Sequence, residues 1–535
     1  MIPGTEDPKA QWPPVWMDPI LHRIETWAAW HSGDPDKLAA VYTGSETDTS
    51  GFFASETGGF KARVKRFVSN VVRYFWGQRT NGRPRRRLHD PIAGDIASAS
   101  ADLLFAEPVV AKAVDEKGEP VEAAQVVLDA IMDASQATLL EGGETCAALS
   151  GVYLRARWDD ETERKQWFDV VGPDCAVPYW RAGELDAVTL WRVVARKGSN
   201  VFRHLEHHSK GETEHGLFKG SDETIGISVP LTELPGLTGI ASEVDENNIV
   251  KGKSQRLAVR YVPNMRPNRI WRDIPQAAYL GVSDFSGVEL LMDALDLAYS
   301  SLMRDVDLGK ARLVVPRSYM NDHGRGEGAS FDLDRELYEP VNAMADEDKG
   351  MQLEMVQFDI RYEEHEAVIN RLKTDAIVSA GYSPQTFGLE GDVAITATEV
   401  AAKARRSLTT RARKICYWDP ELSATLTTLL EMAGHAGVKV VLEWPDAVAP
   451  DPKMESEKVL NWESAKAASI ETKVKELHPD WEQEAVDEEV KLIKEENQVG
   501  AAEDPGSFTG GSFGAEGTDQ KVPPEEEPEG PEGEA

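Results

Sequence analysis

Apolar positions along the chain follow two different periods, and the order in which those periods alternate outlines the molecule. "DPILHRIETWAAW" opens with Asp18 as a helix N-cap and Pro19 at the first helical position, and Ile20, Ile24, Trp27 and His31 recur at helical spacing. "DPIAGDIASASADLLF" predicts a helix with a small-residue face suited to close packing, and a helix near 122–141 carries Val127, Ile131 and Leu140. From Gly151 the period becomes two. "GVYLRARW" alternates Val152, Leu154, Ala156 and Trp158 with Tyr153, Arg155 and Arg157, and "QWFDVV", "AVTLWRVVAR", "VFRHLEHH" and "EHGLFKG" follow with turn residues between them. That spacing predicts an antiparallel sheet built from hairpins. A polar stretch, 219–255, interrupts the sheet before "RLAVRYVPN" resumes it.

The second half reads as helix, insert, helix. In "SDFSGVELLMDALDLAYSSLMRD", Val288, Leu291, Leu295, Ala298 and Leu302 share one face of a helix about 30 Å long. Residues 307–358 hold strand-like "ARLVVP" and "MQLEMVQFDI" around a glycine-rich loop, and "YEEHEAVINRLKTDAIVSA" then carries a stripe of His365, Ile369, Leu372 and Ala376. The glycine-studded "GYSPQTFGLEGDVAIT" leads into the longest helical pattern, with Val400, Ala404, Leu408, Ile415, Leu422, Leu426 and Leu429. Asp419-Pro420 predicts a kink or restart within it. A strand "VKVVLEW", a helical block of mixed charge (453–496) and a Gly/Pro/Glu tail that predicts disorder complete the chain.

Charge narrows the choice of function. The formal net charge is -34 from 58 basic and 92 acidic residues, so the molecule as a whole is not a phosphate-neutralising protein. Residues 500–535, with ten acids and one lysine, account for only -9 of this, and the folded part is acidic too. One segment runs the other way: Lys61, Arg63, Lys65, Arg66, Arg73, Arg79, Arg83, Arg85, Arg86 and Arg87 occur with no acid among them, interleaved with Tyr74, Phe75 and Trp76. This candidate basic contact surface either meets DNA phosphates or docks on acidic neighbours of the same chain, and the excess of acids favours docking. The three cysteines form no CxxC pair and fit a reducing compartment. The N-terminal segment lacks the basic and apolar regions of a signal peptide, and no apolar run approaches a membrane span, so a soluble chain made in the cytoplasm is expected.

Glycines before a helix often cradle phosphate, and the loop after Ala380 invites that test. It fails on charge. From Thr374 through Ala402 there is no Lys or Arg, whereas Asp375, Glu390, Asp392 and Glu399 are acidic. Thr396 and Glu399 have capping-box spacing, which satisfies the helix N-terminus and adds a negative charge there. The nearest match to a nucleotide-binding GxxxxGK[ST] ends in Gly252-Lys253-Ser254 but has Asn247 at the first glycine and no apolar strand before it. His204, His207, His208 and His215 cluster in "RHLEHHSKGETEH", where His207 and His215 are placed to meet across a hairpin with no carboxylate fixed beside them. No metal, cofactor or catalytic residue is assigned.

The element order, together with "DPIAGDIASASADLLFAEP", "YVPNMRPNRIWRDI", "SAGYSPQTFGLEGDVAITATEVAAKARRSLTTRARKI" and "HPDWEQEAVDEEVKLI", resembles the portal proteins of long-tailed double-stranded-DNA bacteriophages over most of 85–496. The resemblance implies an α+β ring subunit. It would comprise a wing of helices and antiparallel sheet (1–283), stem helices (284–306 and 359–380), a small α/β clip (307–358) and a tunnel loop (381–395). A long wing helix with its closing strand (396–452), a helical crown (453–496) and an acidic tail (497–535) would follow. It also implies a twelve-fold homo-oligomeric ring at one capsid vertex of the virion, assembled in the host cytoplasm. Through it a terminase motor packages double-stranded DNA that later leaves into the tail. The implied partners are the large terminase subunit, a head-tail adaptor, and the major capsid and scaffolding proteins, with no membrane. Tyr382, Gln385, Phe387, Glu390 and Asp392 would face the DNA, with Thr396 and Glu399 capping the next helix. The 219–255 interruption and the tail past Asn497 have no counterpart role in the resemblance. A capsid or head-tail structural protein without a channel is the alternative.

Overall fold

The computed structural model describes residues 2–48, 88–159, 165–309, 312–314, 321–322, 329–330, 354–356, 360–389, 397–445, 452–465, 467–478, 481 and 483–501. The chain divides into two units, Met1–Ala449 and Pro450–Ala535. Helices and antiparallel sheets alternate along the first unit, which makes the fold α+β.

Among the described residues, five helices lie before Ser150: α1 (Asp18–Ser32), α2 (Pro35–Asp48), α3 (Ile92–Phe105), α4 (Glu122–Asp133) and α5 (Gln136–Leu149). Pro19 occupies the first turn of α1, where its missing N–H removes no helical bond. Asp18 already belongs to that helix and accepts from Gln11 Nε2 at 2.7 Å, so it does not cap it as expected. The single helix expected near 122–141 is two. Ser135 sits between them and donates Oγ–H to Ile131 O at 2.6 Å, a local bond of the kind that competes with helix continuation. The small face of α3 does pack closely, against a glycine of α5. A Cβ on Gly143 would lie 3.2 Å from Ala101 Cα and 3.1 Å from Phe105 Cδ2.

One strand, β1 (Val110–Val114), lies between α3 and α4; after α5 come β2 (Gly151–Trp158), β3 (Gln166–Val171), β4 (Ala176–Arg181), β5 (Glu184–Lys197), β6 (Asn200–Ser209), β7 (Glu212–Gly220), β8 (Ile227–Val229), α6 (Thr238–Glu243), β9 (Ile249–Lys251) and β10 (Val259–Pro263). One sheet has the order β10-β2-β3, and a larger one runs β4-β5-β6-β7-β8 with β9 also on β7. The stretch 219–255, read as a polar interruption, instead extends and covers the larger sheet. Its β8 and β9 both pair with β7, and Leu231, Leu234 and Leu237 bury against Phe202 and Leu217. Three leucines at turn positions supply this apolar cover within a mostly polar segment. The two-residue turn Lys210-Gly211 sets Glu206 opposite His215 and His207 opposite Glu214. His215 therefore meets His204 rather than His207, and a carboxylate does lie beside them.

Two helices then pack side by side. On α7 (Glu289–Gly309), Met292 and Leu295 continue the buried stripe from Val288, and α8 (Tyr362–Ala380) answers with Ile369, Ala376 and Ile377. Between them lie two antiparallel pairs, β11 (Arg312–Val314) with β14 (Glu354–Val356), and β12 (Asn321–Asp322) with β13 (Ala329–Ser330). The long helix α9 (Ala397–Met432) buries Trp418, Leu422, Leu426, Leu429 and Leu430 with Val152, Leu154 and Val262 of the smaller sheet. Trp418 meets Phe105 edge-on at 4.9 Å, a favoured aromatic geometry. Of the kink or restart expected at Pro420, the restart does not occur; α9 continues through it. The carbonyl that loses its helical donor there belongs to Cys416, an exposed position open to solvent. β15 (Lys439–Glu443) returns to pair with β1.

The described residues of the second unit form α10 (Pro452–Ala465), α11 (Ile470–Leu477) and α12 (Gln483–Ala501). Ser469 caps α11, its Oγ accepting from Thr472 N at 3.2 Å. Val474, Val486 and Val490 form its small core. Among the described residues no helix is long and apolar enough to cross a membrane.

Candidate functional site

The segment joining α8 to α9 leaves from a fixed base. Gly381 ends α8 at φ 102°, a left-handed conformation that suits glycine. The next residue, Tyr382, is 1% exposed and turns into the protein, where its hydroxyl donates to Asp284 Oδ2 at 2.6 Å. Lys414 from α9 reaches the same oxygen at 2.6 Å. Its other protons go to Ser100 Oγ on α3 at 2.6 Å and to the Tyr382 hydroxyl oxygen at 3.1 Å. Asp284 Oδ1 accepts from Asn264 Nδ2 at 2.8 Å. All three ammonium protons and both carboxylate oxygens are thus satisfied, as a buried ion pair requires. Burial, followed by the Asp284 charge, holds the Tyr382 pKa well above its usual range, so the phenol remains a donor.

A second set of bonds clamps the backbone just beyond. Ser407, Thr410 and Lys414 fall on one face of α9 by helical spacing. Thr410 Oγ1 donates to Gly381 O at 2.5 Å, and Ser407 Oγ accepts from Ser383 N at 2.9 Å and pairs with Thr386 Oγ1 at 2.7 Å. Residues 384–387 make one 3-10 turn closed by Gly388 at φ 69°. Phe387, half-buried, meets Tyr382 edge-on at 6.2 Å.

These contacts correct one expectation. Tyr382 does not face outward as a DNA-facing side chain would; it anchors the loop base. Gln385 and Phe387 are half-buried beside it. Glu390, Asp392 and Thr396 lie outside the described residues, as do Lys61, Arg63, Lys65, Arg66, Arg73, Arg79, Arg83, Arg85, Arg86 and Arg87. Glu399 belongs to α9. Reading the sequence missed Asp284, Lys414, Ser100 and Asn264. The one signal was a row of small polar residues, Ser407 and Thr410, on the α9 face that continues to Lys414.

The nucleotide-like segment is committed elsewhere. Lys253 Nζ sits 3.6 Å from the Trp158 ring centroid, and Ser254 Oγ donates to Glu431 Oε2 at 2.6 Å. A second network ties the N-terminal region to the helix pair: Asp296 accepts from His89 Nδ1 at 2.8 Å and Asp90 N at 2.9 Å, while Lys373 Nζ pairs with Asp90 at 2.8 Å.

Residues 62–501 match the family described as "Phage portal protein, SPP1 Gp6-like". The chain belongs to the phage portal protein family. A portal is a structural channel component, and its place is a capsid vertex of the virion. No curated protein matches this portal chain. Among solved structures, the neck of a native GTA particle computed with C12 symmetry is 12% identical, covers 80% of this chain and 95% of that chain, and overlays with a TM-score of 0.35. The neck of an empty GTA particle computed with C6 symmetry is 13% identical, with 80% and 96% covered and a TM-score of 0.37. The portal assignment rests on the family match.

Removing one charge of a buried pair strands the other, whereas removing the Tyr382 hydroxyl costs its bond to Asp284 and the longer one from Lys414 but leaves the ion pair in place. Lys414→Met should therefore destabilise this portal subunit by about 3–5 kcal/mol, and Tyr382→Phe by about 1.5–3 kcal/mol. Denaturant midpoints of the purified variants check the order. Equal, small losses would show that the pair is exposed to water in solution.

Proposed function

We propose that this portal subunit closes into a ring of about twelve copies whose axial channel carries double-stranded DNA. In this reading α7 and α8 are the stem, 307–358 the clip and 381–395 the tunnel loop. Residues 1–283 and 396–452 form the wing, 453–496 the crown and 497–535 a tail dispensable for assembly. The large terminase subunit supplies the motor, a head-tail adaptor closes the other end, and capsid and scaffolding proteins surround the ring during assembly in the host cytoplasm. The subunit itself hydrolyses neither ATP nor nucleic acid.

The observation that carries this reading is the absence of any Lys or Arg from Thr374 through Ala402, together with Glu390 and Asp392 at the centre of the loop. Neutralised phosphates release counterions, and that release produces affinity. Affinity would stall a moving duplex. A loop without cations meets phosphate without holding it. Ring closure is supported by the helix pair, which leaves large apolar side chains uncovered. Leu290 is 82% exposed, Leu297 61%, Val368 52% and Met303 44%. Exposed apolar side chains grouped on two packed helices suit burial against a neighbouring subunit, and a heterologous contact repeated around an axis closes a ring.

Two experiments bear on these two parts. Leu290→Asp with Leu297→Asp should leave the fold intact and reduce the purified protein from rings to monomers in mass measurements. Rings that persist would move the subunit interface away from α7. Glu390→Lys with Asp392→Lys should leave rings intact but make them retain duplex at low salt, with log affinity falling by roughly 0.9 per phosphate contact per decade of salt. Phage carrying this double variant should package or eject poorly. A wild-type phage yield would remove loop charge from the account and favour a structural protein without a channel.

A further inference from the structure

The β6–β7 hairpin buries an unusual set of ionisable groups. Strand alternation puts His204, Glu206 and His208 on one face of β6, and the register brings His215 of β7 opposite Glu206. His204 is 1% exposed, Glu206 4%, His208 5% and His215 9%. Buried polar groups normally satisfy one another completely. Here His204 Nδ1 has no hydrogen-bond partner. It faces Glu206 Oε1 at 3.7 Å, too far for a hydrogen bond. That separation suits a nitrogen and an oxygen sharing an ion, each at about 2.0–2.2 Å. His204 Nε2 lies 3.3 Å from His215 Nδ1 with the two rings within 7° of parallel, a contact that a bound ion replaces, since a proton shared between the rings occupies a lone pair the metal needs. One donor atom from each of His204, Glu206 and His215 lies within 4.8 Å of the others.

The groups around this trio are arranged as second-shell partners of a metal site are. Arg155 Nη1 holds Glu206 Oε2 at 2.6 Å and so orients the carboxylate, leaving Oε1 turned to His204. The rest of the guanidinium is engaged by Asp169, at 2.8 Å from Nε and 2.6 Å from Nη2, which offsets its charge.

We propose that His204, Glu206 and His215 bind a divalent transition-metal ion of the zinc class, which cross-links β6 to β7 within the sheet. Two imidazoles and one carboxylate select Zn2+, Co2+ or Ni2+ over Ca2+ and Mg2+, which favour all-oxygen shells. Three protein ligands leave one tetrahedral position for water. The neighbouring Arg155 and Arg157 keep the affinity modest, since an added dication meets their positive charge.

The test uses the full chain stripped with a chelator and dialysed. Calorimetric titration with ZnCl2 should give about one ion per chain, Co2+ should develop the visible bands of a four-coordinate N/O site, and Zn2+ but not Ca2+ should raise the melting temperature. His204→Gln with His215→Gln should abolish all three responses, and His207→Gln should preserve them. Should the double variant fail to fold, His215→Gln alone, at the least buried ligand, should weaken Zn2+ binding by about tenfold or more. A wild-type protein that takes up no stoichiometric Zn2+ overturns the proposal. So does a double variant that binds as tightly as wild type.

Discussion

A lysine and an aspartate withdrawn from water are the constraint on which the rest of this subunit turns. Lys414 and Asp284 are 2% and 1% exposed at their side chains, and an ion pair at that depth survives only if every proton and lone pair is matched. The matching partners come from α3, from the connector after β10, from the turn after α8 and from α9. An apolar plug of equal volume would fill the same space without specifying which four segments meet. The polar knot specifies them, and it fixes the point from which the loop departs.

That placement links the fold to the work of a portal. One end of the loop is clamped to α9 through Gly381, Ser383 and Thr386. The other end enters α9 itself at Ala397. A segment anchored at both ends and free of basic residues can sit beside a polyanion without gripping it. The acidity of the whole chain serves the same end, since long-range attraction of DNA to a surface of net charge -34 is unfavourable.

Much of this was legible in the sequence because period and spacing are local properties. Of the stripe read from Val288 to Leu302, Val288 and Leu295 are buried and Leu291, Ala298 and Leu302 pack partly against the same core; of that from His365 to Ala376, Ile369 and Ala376 are buried and Leu372 partly so. The alternation from Gly151 onward does form antiparallel strands, though they divide into two sheets rather than one. The inward turn of Tyr382 was not legible, because a tyrosine after a helix-ending glycine fits a surface or a core equally well. Only the tertiary approach of Asp284 and Lys414 decides it. The histidine register was partly legible. Had Lys210-Gly211 been taken as a two-residue turn, counting outward would have set Glu206 against His215. The cover formed by 219–255 escaped because Leu231, Leu234 and Leu237 lie on or beside two single-turn 3-10 helices, too short to show a sustained apolar period.

The central claim is spatial: the cation-free loop lines an axial opening, with the Lys414–Asp284 knot in the wall behind it. A density map of the purified ring, resolved well enough to trace α7, α8 and α9, measures this directly. The account predicts an axial channel with residues 390–396 of every subunit at its narrowest part and the side of α9 bearing Lys414 facing away from the axis. A ring whose loops lie on the outer rim, or an assembly with no axial opening, would contradict it.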